Sequence, residues 1–460
     1  LVHRLHLQGL AEIPAEISKF PNLKELVLTQ GKISTLPPTF AQLEVLDLSH
    51  NQLKEVPAYL TNFQQLTKLN LSFNQFSELP AWMLKQYNQP TSKLNIRLIG
   101  NPLSNILYSA EDLANAPILG SIEEALKNPA QVIKLQLSNL ADLPKELKDL
   151  PNLQSLVLNN NYLSSLPAEV GQLKNLQEIS LLNNPLSNLP ESIGDLANLK
   201  TLNIGLNKLT TLPESIGKLK NLTNLNLQDN QITNLPTQIE GLVNLKQLSL
   251  SNNLLQTLPE SLGNLPNLED LHLLGNQLNK LPETLGKLKS LKRLNLLGNQ
   301  LSELPEGLGN LLNLKDLDLR ANALTKLPES LGKLTGLEKL NLRKNALTEL
   351  PKGLGDLANL KDLGVWGNAL NALPAELGKL TNLENLNLYG NKLISLPAEL
   401  GNLTNLKNLD LWGNALQQLP DELGKLSNLE SFKLDFHNLP ALEQTRLRQV
   451  LNNSKTIFKF

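Results

Sequence analysis

The chain has 460 residues, 42 of them basic and 43 acidic, so its net charge is −1 and no global field favours nucleic acid or an anionic lipid surface. It holds no cysteine, which excludes disulfides, thiolate nucleophiles and Cys-based zinc sites. Polar residues interrupt every apolar stretch well before it reaches the length of a membrane span.

The sequence starts at Leu1 without an initiator Met and without a basic-then-apolar leader, which leaves a removed signal peptide open. The lack of cysteine favours a cytoplasmic location, and a bacterial surface or secreted protein also fits. Residues 1–103 form a first block of loose repeats with Asn51, Asn74 and Asn101 at matching places and Gly31 standing in for Asn. Residues 104–130 break the pattern. Ser109-Ala-Glu-Asp-Leu and Ser121-Ile-Glu-Glu-Ala-Leu read as capped helix starts, the second predicting a helix near 121–128 that caps the block after it. The pattern then restarts: Leu5-His-Leu-Gln-Gly-Leu10-Ala-Glu-Ile-Pro14 matches Leu135-Gln-Leu-Ser-Asn-Leu140-Ala-Asp-Leu-Pro144. This predicts two tandem sub-arrays, each with its own opening repeat; the alternative is one continuous superhelix with a helical insertion.

The second block, 131–439, is strictly periodic. Asparagine returns every 23 residues from Asn161 to Asn414 in the frame Leu-x-x-Leu-x-Leu-x-x-Asn-x-Leu-x-x-Leu-Pro. Proline follows the same step from Pro167 to Pro420, and glycine from Gly171 to Gly424, broken only by Glu240. After Leu434 the pattern dissolves. Leu442, Leu447, Val450 and Leu451 stand at helical spacing, followed by Thr456-Ile-Phe-Lys-Phe460, so 440–460 reads as a helix-and-strand terminal cap.

A fixed period of this length means a solenoid. The alternating Leu-x-x-Leu-x-Leu segment is a strand, and the Leu-Pro-x-x-Leu-Gly segment is a turn with a short helical or 3-10 return. The Asn column satisfies buried backbone groups of adjacent repeats. A second column, Asn152, Asn175, Asn198, Asn221, Asn244 and Asn267, caps the return turns. The chain resembles the leucine-rich-repeat family in its 23-residue form, as found in bacterial, Ras-scaffold-like and Roco-associated arrays. The resemblance implies an α/β solenoid: a curved superhelix with a concave parallel β-sheet and short helical or 3-10 turns on the convex side.

Catalytic constellations are missing. His3, His6, His50, His272 and His437 form no metal-ligand pair, and no Gly-rich phosphate loop occurs. Asp316 and Asp318 start like a calcium loop but lack its glycine and closing glutamate. The reading is therefore a non-enzyme without metal or cofactor.

Information lies in the variable strand positions, chiefly the third, fifth, seventh and eighth places of the frame. The seventh place is small or polar early (Thr29, Ser49, Ser72, Asn159, Gly205, Gln228, Ser251) and then becomes Leu274, Leu297, Arg320, Arg343, Trp366, Tyr389 and Trp412. Eighth-place glycines, Gly275, Gly298, Gly367, Gly390 and Gly413, are expected to leave room for these neighbours. The fifth place supplies the polar flank Asp318, Asn341, Asn387 and Asp410. An aromatic and apolar ridge beside Arg and Asp/Asn has the composition of an interaction hot spot. The expected partner is a protein or peptide on the concave face of repeats 268–415, with no nucleic acid and no membrane span. A glycan is the first alternative, because Trp and Tyr stack on sugars. The second is a regulatory segment of a larger multidomain protein such as a GTPase-linked one.

Overall fold

The computed structural model describes residues 2–34, 42–56, 58–87, 89, 92–103, 106, 108 and 110–452. The chain divides into two compact units. The first comprises Leu1–Tyr162 with Glu169–Ser180, the second Leu163–Ala168 with Leu181–Phe460.

The first unit opens with parallel strands Arg4–Gln8, Glu25–Thr29, Val45–Asp47, Lys68–Asn70 and Asn95–Arg97, paired in chain order. Helix α1 (Ala81–Tyr87) replaces a 3-10 return in the repeat where the step from Asn74 to Asn101 is wider. Helix α2 (Ala110–Asn115) follows; the cap expected at Ser109 lies outside the described residues. Ile118–Leu119, Lys134–Gln136, Ser155–Val157 and Glu178–Ser180 then pair in parallel. Helix α3 (Ile122–Ala125) begins where expected, with Ser121 Oγ accepting from the Glu124 N–H at 3.1 Å. It is shorter than the expected 121–128. Pro129 disfavours helical backbone at Asn128, which sits at φ −143°, and a 3-10 turn Pro129–Gln131 follows.

The segment after Leu103 is tied down by buried side chains of later repeats. Gln154 Nε2 donates to the Ile106 carbonyl at 2.7 Å, and its Oε1 accepts from the Tyr108 N–H at 2.7 Å. Gln177 Nε2 donates to the Tyr108 carbonyl at 2.9 Å, and Asn152 Nδ2 donates to the Leu103 carbonyl. Burial pushes the Tyr108 hydroxyl above its ordinary range, with Asp112 adding to the shift.

The second unit is a parallel-strand solenoid. Its strands run from Thr201–Asn203 to Ser431–Lys433, and frame leucines pair with their counterparts one repeat on, as in Leu317↔Leu340. The hydrogen-bonded strand is only the centre of the predicted segment, as in Asp316–Asp318. Each return is a five-residue 3-10 helix following the proline, such as Glu329–Lys333 after Pro328. The frame leucines are buried along the stack, except in the last repeat, where Leu423 and Leu434 are half-buried.

Three devices stitch the repeats. The Asn ladder does as predicted: Asn322 Nδ2 donates to the Leu296 and Leu319 carbonyls, and its Oδ1 accepts from Leu301 N–H. The second Asn column links neighbours laterally; Asn221, Asn244 and Asn267 donate to Ala197, Lys220 and Val243 carbonyls at 2.8–2.9 Å. The periodic glycine serves close approach: a Cβ on Gly286 would lie 2.0 Å from the Gly307 carbonyl oxygen.

At the far end, helix α4 (Ala441–Asn452) covers the last return. Glu443 Oε1 accepts from the Leu419 N–H at 2.9 Å and Arg446 Nη2 donates to the Leu419 carbonyl at 2.5 Å. Leu447 is buried as expected, but Leu442 is 85% exposed, because the covering contact is made through Glu443, Arg446 and Leu447 instead. The side chains of Val450 and Leu451, and the whole of Thr456–Phe460, lie outside the described residues.

Candidate interaction surface

Strands of the second unit end in a recurring local structure, and that structure sets the seventh-place side chain. The fifth-place Asn or Asp turns its Oδ1 back onto the N–H two residues on. Asn295 accepts from Leu297, Asp318 from Arg320, and Asn387 from Tyr389, each at 3.1 Å; Asp410 accepts from Trp412 at 3.2 Å and Asn341 from Arg343 at 3.5 Å. This is an Asx-type turn, which places one face of these residues in scaffold service. The sequence pattern marks Asp318, Asn341, Asn387 and Asp410 as a polar flank and gives no sign of the turn.

The eighth place is left-handed in repeat after repeat. Leu206, Asp229, Asn252, Ala321 and Lys344 have φ between 49° and 57°, and Gly275, Gly298, Gly367, Gly390 and Gly413 between 63° and 70°. The left-handed backbone gives glycine a reason to recur that the sequence does not show, while a Cβ on Gly413 would also lie 3.7 Å from the Tyr389 ring. A Cβ on Gly298 would come no closer than 3.7 Å to anything.

The seventh-place residues follow strands that pair in register, one repeat after another. Trp366 and Tyr389 meet edge to face, with ring centroids 6.0 Å apart and planes at 68°. Tyr389 is 43% exposed and Trp412 is 51% exposed, while Trp366, Leu274 and Leu297 are half-buried. Lys344 Nζ lies 5.1 Å from the centre of the Trp366 ring, within cation–π range. At the other end of the chain the column differs: Ser49 and Ser72 are buried.

The charged residues divide into two kinds. Arg320 is consumed locally: its Nε and Nη2 grip Asp318 at 2.9 Å and 2.6 Å, and this pairing holds its guanidinium above the usual arginine range despite the opposing effect of burial. The third-place column is paired from within in part, and Asp270 Oδ1 stays buried without a hydrogen-bond partner among the described residues. Arg293 Nη2 reaches Asp270 at 2.5 Å, and in later repeats Asn385 Nδ2 donates to Asp362. Burial pushes the Asp316 carboxyl up, and Lys339 opposes the shift. Arg343 is the exception. It lies over Gly364, where a Cβ would fall 2.7 Å from its Nε, and that buried Nε has no hydrogen-bond partner among the described residues. Lys344 was missed at the sequence level; the available signal was a lysine at a place where most of the following repeats have glycine.

Among the described residues no group of three or more His, Cys, Asp or Glu is placed to hold a metal ion, and no helix is long and apolar enough to cross a membrane. Residues 236–342, 283–389 and 329–459 match the leucine-rich repeat region family, and residues 21–76 and 174–232 match a further leucine rich repeat family. The chain belongs to the leucine-rich-repeat family. Among solved structures it is similar to a leucine-rich-repeat protein of Leptospira interrogans, at 37% identity over 74% of this chain and 100% of that one, with a TM-score of 0.55. It is similar to the plant peptide hormone receptor RGFR1, solved in complex with RGF2, at 31% identity over 94% of this chain and 69% of that one, with a TM-score of 0.59. The Arabidopsis receptor kinase HAESA, solved with the peptide hormone IDA and the co-receptor SERK1, aligns at 28% identity over 94% of this chain and 78% of that one, with a TM-score of 0.57. A search of curated proteins gives no significant match.

Proposed function

We propose that this leucine-rich-repeat chain is a non-enzymatic interaction scaffold that binds an extended protein segment or peptide on the exposed sheet face of repeats 268–415. The observation that carries the reading is the run Trp366, Tyr389 and Trp412 on consecutive strands, with Tyr389 and Trp412 about half exposed. Large aromatic side chains left in water cost hydrophobic free energy, and contiguous apolar patches mark binding surfaces. The similar receptors RGFR1 and HAESA are both solved with peptide ligands, which supports a peptide as the occupant. A sugar needs an open ring face, and Lys344 occupies one at Trp366, which weighs for polypeptide over glycan.

The test is affinity capture with the intact chain and with a Trp366→Ala, Tyr389→Ala, Trp412→Ala variant, followed by affinity measurement on the protein captured. Truncating a buried aromatic anchor commonly costs about 2 kcal/mol, roughly a thirtyfold loss of affinity. The variant is expected to lose the partner while keeping native circular dichroism and melting. A variant that binds normally, or that unfolds, makes the ridge packing and moves the site elsewhere.

A further inference from the structure

We infer that Arg343, with Lys344 and Trp366 beside it, forms a subsite for a carboxylate of the bound polypeptide. The inference rests on the proposed binding face and names the chemistry of one point on it.

Other basic side chains on the same face have acidic partners. Arg293 pairs with Asp270, Arg320 with Asp318, and Lys433 lies 3.6 Å from Asp410. Arg343 occupies the same place in the frame as Arg320, one repeat on. The residue two positions before it is Asn341 where Arg320 has Asp318, so the acid is exchanged for its neutral counterpart. The next strand offers Gly364 at that place, with no side chain at all. Both positions that would supply an acid or a polar partner have lost the charge. The guanidinium settles over Gly364, and its Nε is buried without an acceptor among the described residues. A charged donor without an acceptor is costly; Nε itself is shielded, but Arg343 as a whole is only half-buried, so an incoming anion can pair with the guanidinium from its accessible side.

Lys344 adds a second positive charge. Its backbone is left-handed at φ 54°, a conformation that the corresponding Gly367, Gly390 and Gly413 adopt without penalty. From there its ammonium lies over Trp366 and makes no ion pair among the described residues. Two uncompensated cations against an aromatic wall, in a chain of net charge −1, form a local positive site. Arginine presents paired donors that match a carboxylate bidentately. The carboxylate can be an Asp or Glu side chain or the end of a chain, and the chemistry at Arg343 is the same.

The experiment uses the full chain with Trp82→Phe and Trp412→Phe, which leaves Trp366 as the sole tryptophan beside the subsite. Three short probes are titrated at constant ionic strength: acetyl-tri-alanine with a free carboxylate, acetyl-Ala-Glu-Ala-amide, and the neutral acetyl-Ala-Gln-Ala-amide. Trp366 fluorescence is expected to respond saturably, with at least one carboxylate probe binding roughly tenfold tighter than the neutral one. The tighter of the two carboxylate probes identifies the source. Arg343→Gln should abolish the preference, whereas Arg320→Gln, whose guanidinium already holds Asp318, should leave it intact. No saturable response, or an unchanged preference in Arg343→Gln, overturns the subsite. Failure of the wider binding face is a separate result, read from the triple aromatic variant, because the probes report on Arg343 alone.

Discussion

Asn299 Nδ2 donates to the carbonyl of Leu273, one repeat back, at 3.0 Å. The same amide group donates to Leu296 within its own repeat at 3.0 Å, and Oδ1 accepts from the Leu278 N–H at 3.1 Å. One buried side chain therefore completes three backbone groups that the short strands cannot reach. Asn299→Ala strands the Leu278 N–H, while the Leu273 and Leu296 carbonyls keep the amides of Asn276 and Asn322, and the expected loss is about 1–3 kcal/mol. Equilibrium urea unfolding measures it; an unchanged midpoint would sink the ladder reading.

Two kinds of glycine should behave differently when alanine replaces them. At Gly298 the added Cβ meets nothing nearer than 3.7 Å, and the cost comes from φ 69° alone, roughly 1–2 kcal/mol. At Gly286 the Cβ would fall 2.0 Å from the Gly307 carbonyl oxygen, so backbone of the next repeat must move. Gly286→Ala should therefore cost more than Gly298→Ala, at the top of the roughly 1–3 kcal/mol typical of overpacking or beyond it. The reverse order in a melting comparison would show that the periodic glycine serves some purpose other than close approach.

Fold and site were unequally legible in the sequence. The 23-residue step named the architecture because each frame position has a single physical job: leucine for the core, asparagine for backbone groups, proline for the return. The ridge Trp366, Tyr389, Trp412 was legible for the same reason, since a strict period fixes which side chains neighbour one another. What stayed hidden depends on backbone geometry. The left-handed eighth place is invisible when Lys344 or Ala321 occupies it. The Asx turn at Asp318 and Asn387 looks in sequence like any exposed polar residue. The pairing of Arg320 with Asp318 and the isolation of Arg343 are a difference of one carboxylate, which composition cannot separate.

Acid should weaken the α4 cap through a named group. The Arg446 guanidinium beside Glu443, aided by the Leu419 N–H, holds the Glu443 carboxyl below the usual glutamate range, and burial opposes this only in part. A carboxyl depressed in the folded state contributes stability above its unfolded pKa, and that contribution is lost as pH falls through the folded value. Glu443→Gln should thus lower the melting temperature at neutral pH. The gap to the parent chain should narrow steadily below the ordinary carboxylate range. A gap that stays constant down to the acid limit would mean that the charge of Glu443 adds nothing to the cap.

The segment that follows the first block is held by two buried glutamines. Gln177 Nε2 donates to the Tyr108 carbonyl, and Gln154 clasps Ile106 and Tyr108 from the neighbouring repeat. Both glutamines are buried, whereas Glu269 and Lys292, at the same place in later repeats, pair with each other in water. A buried carbonyl without its donor is unfavourable, so Gln177→Ala, which strips the Tyr108 carbonyl of that donor, should destabilise the full chain by about 1–3 kcal/mol. We propose that residues 131–439 form an array of their own, separated from 1–103 by 104–130, and the same substitution tests this in a chain trimmed to 121–460. There the Tyr108 carbonyl is gone. If the array is autonomous, the trimmed chain should still unfold cooperatively, and Gln177→Ala should cost less there than in the full chain, because only its bond to Gln154 is left to lose. If the trimmed chain loses its cooperative transition, the segment holding Tyr108 is an integral part of one continuous array, and the division into sub-arrays fails.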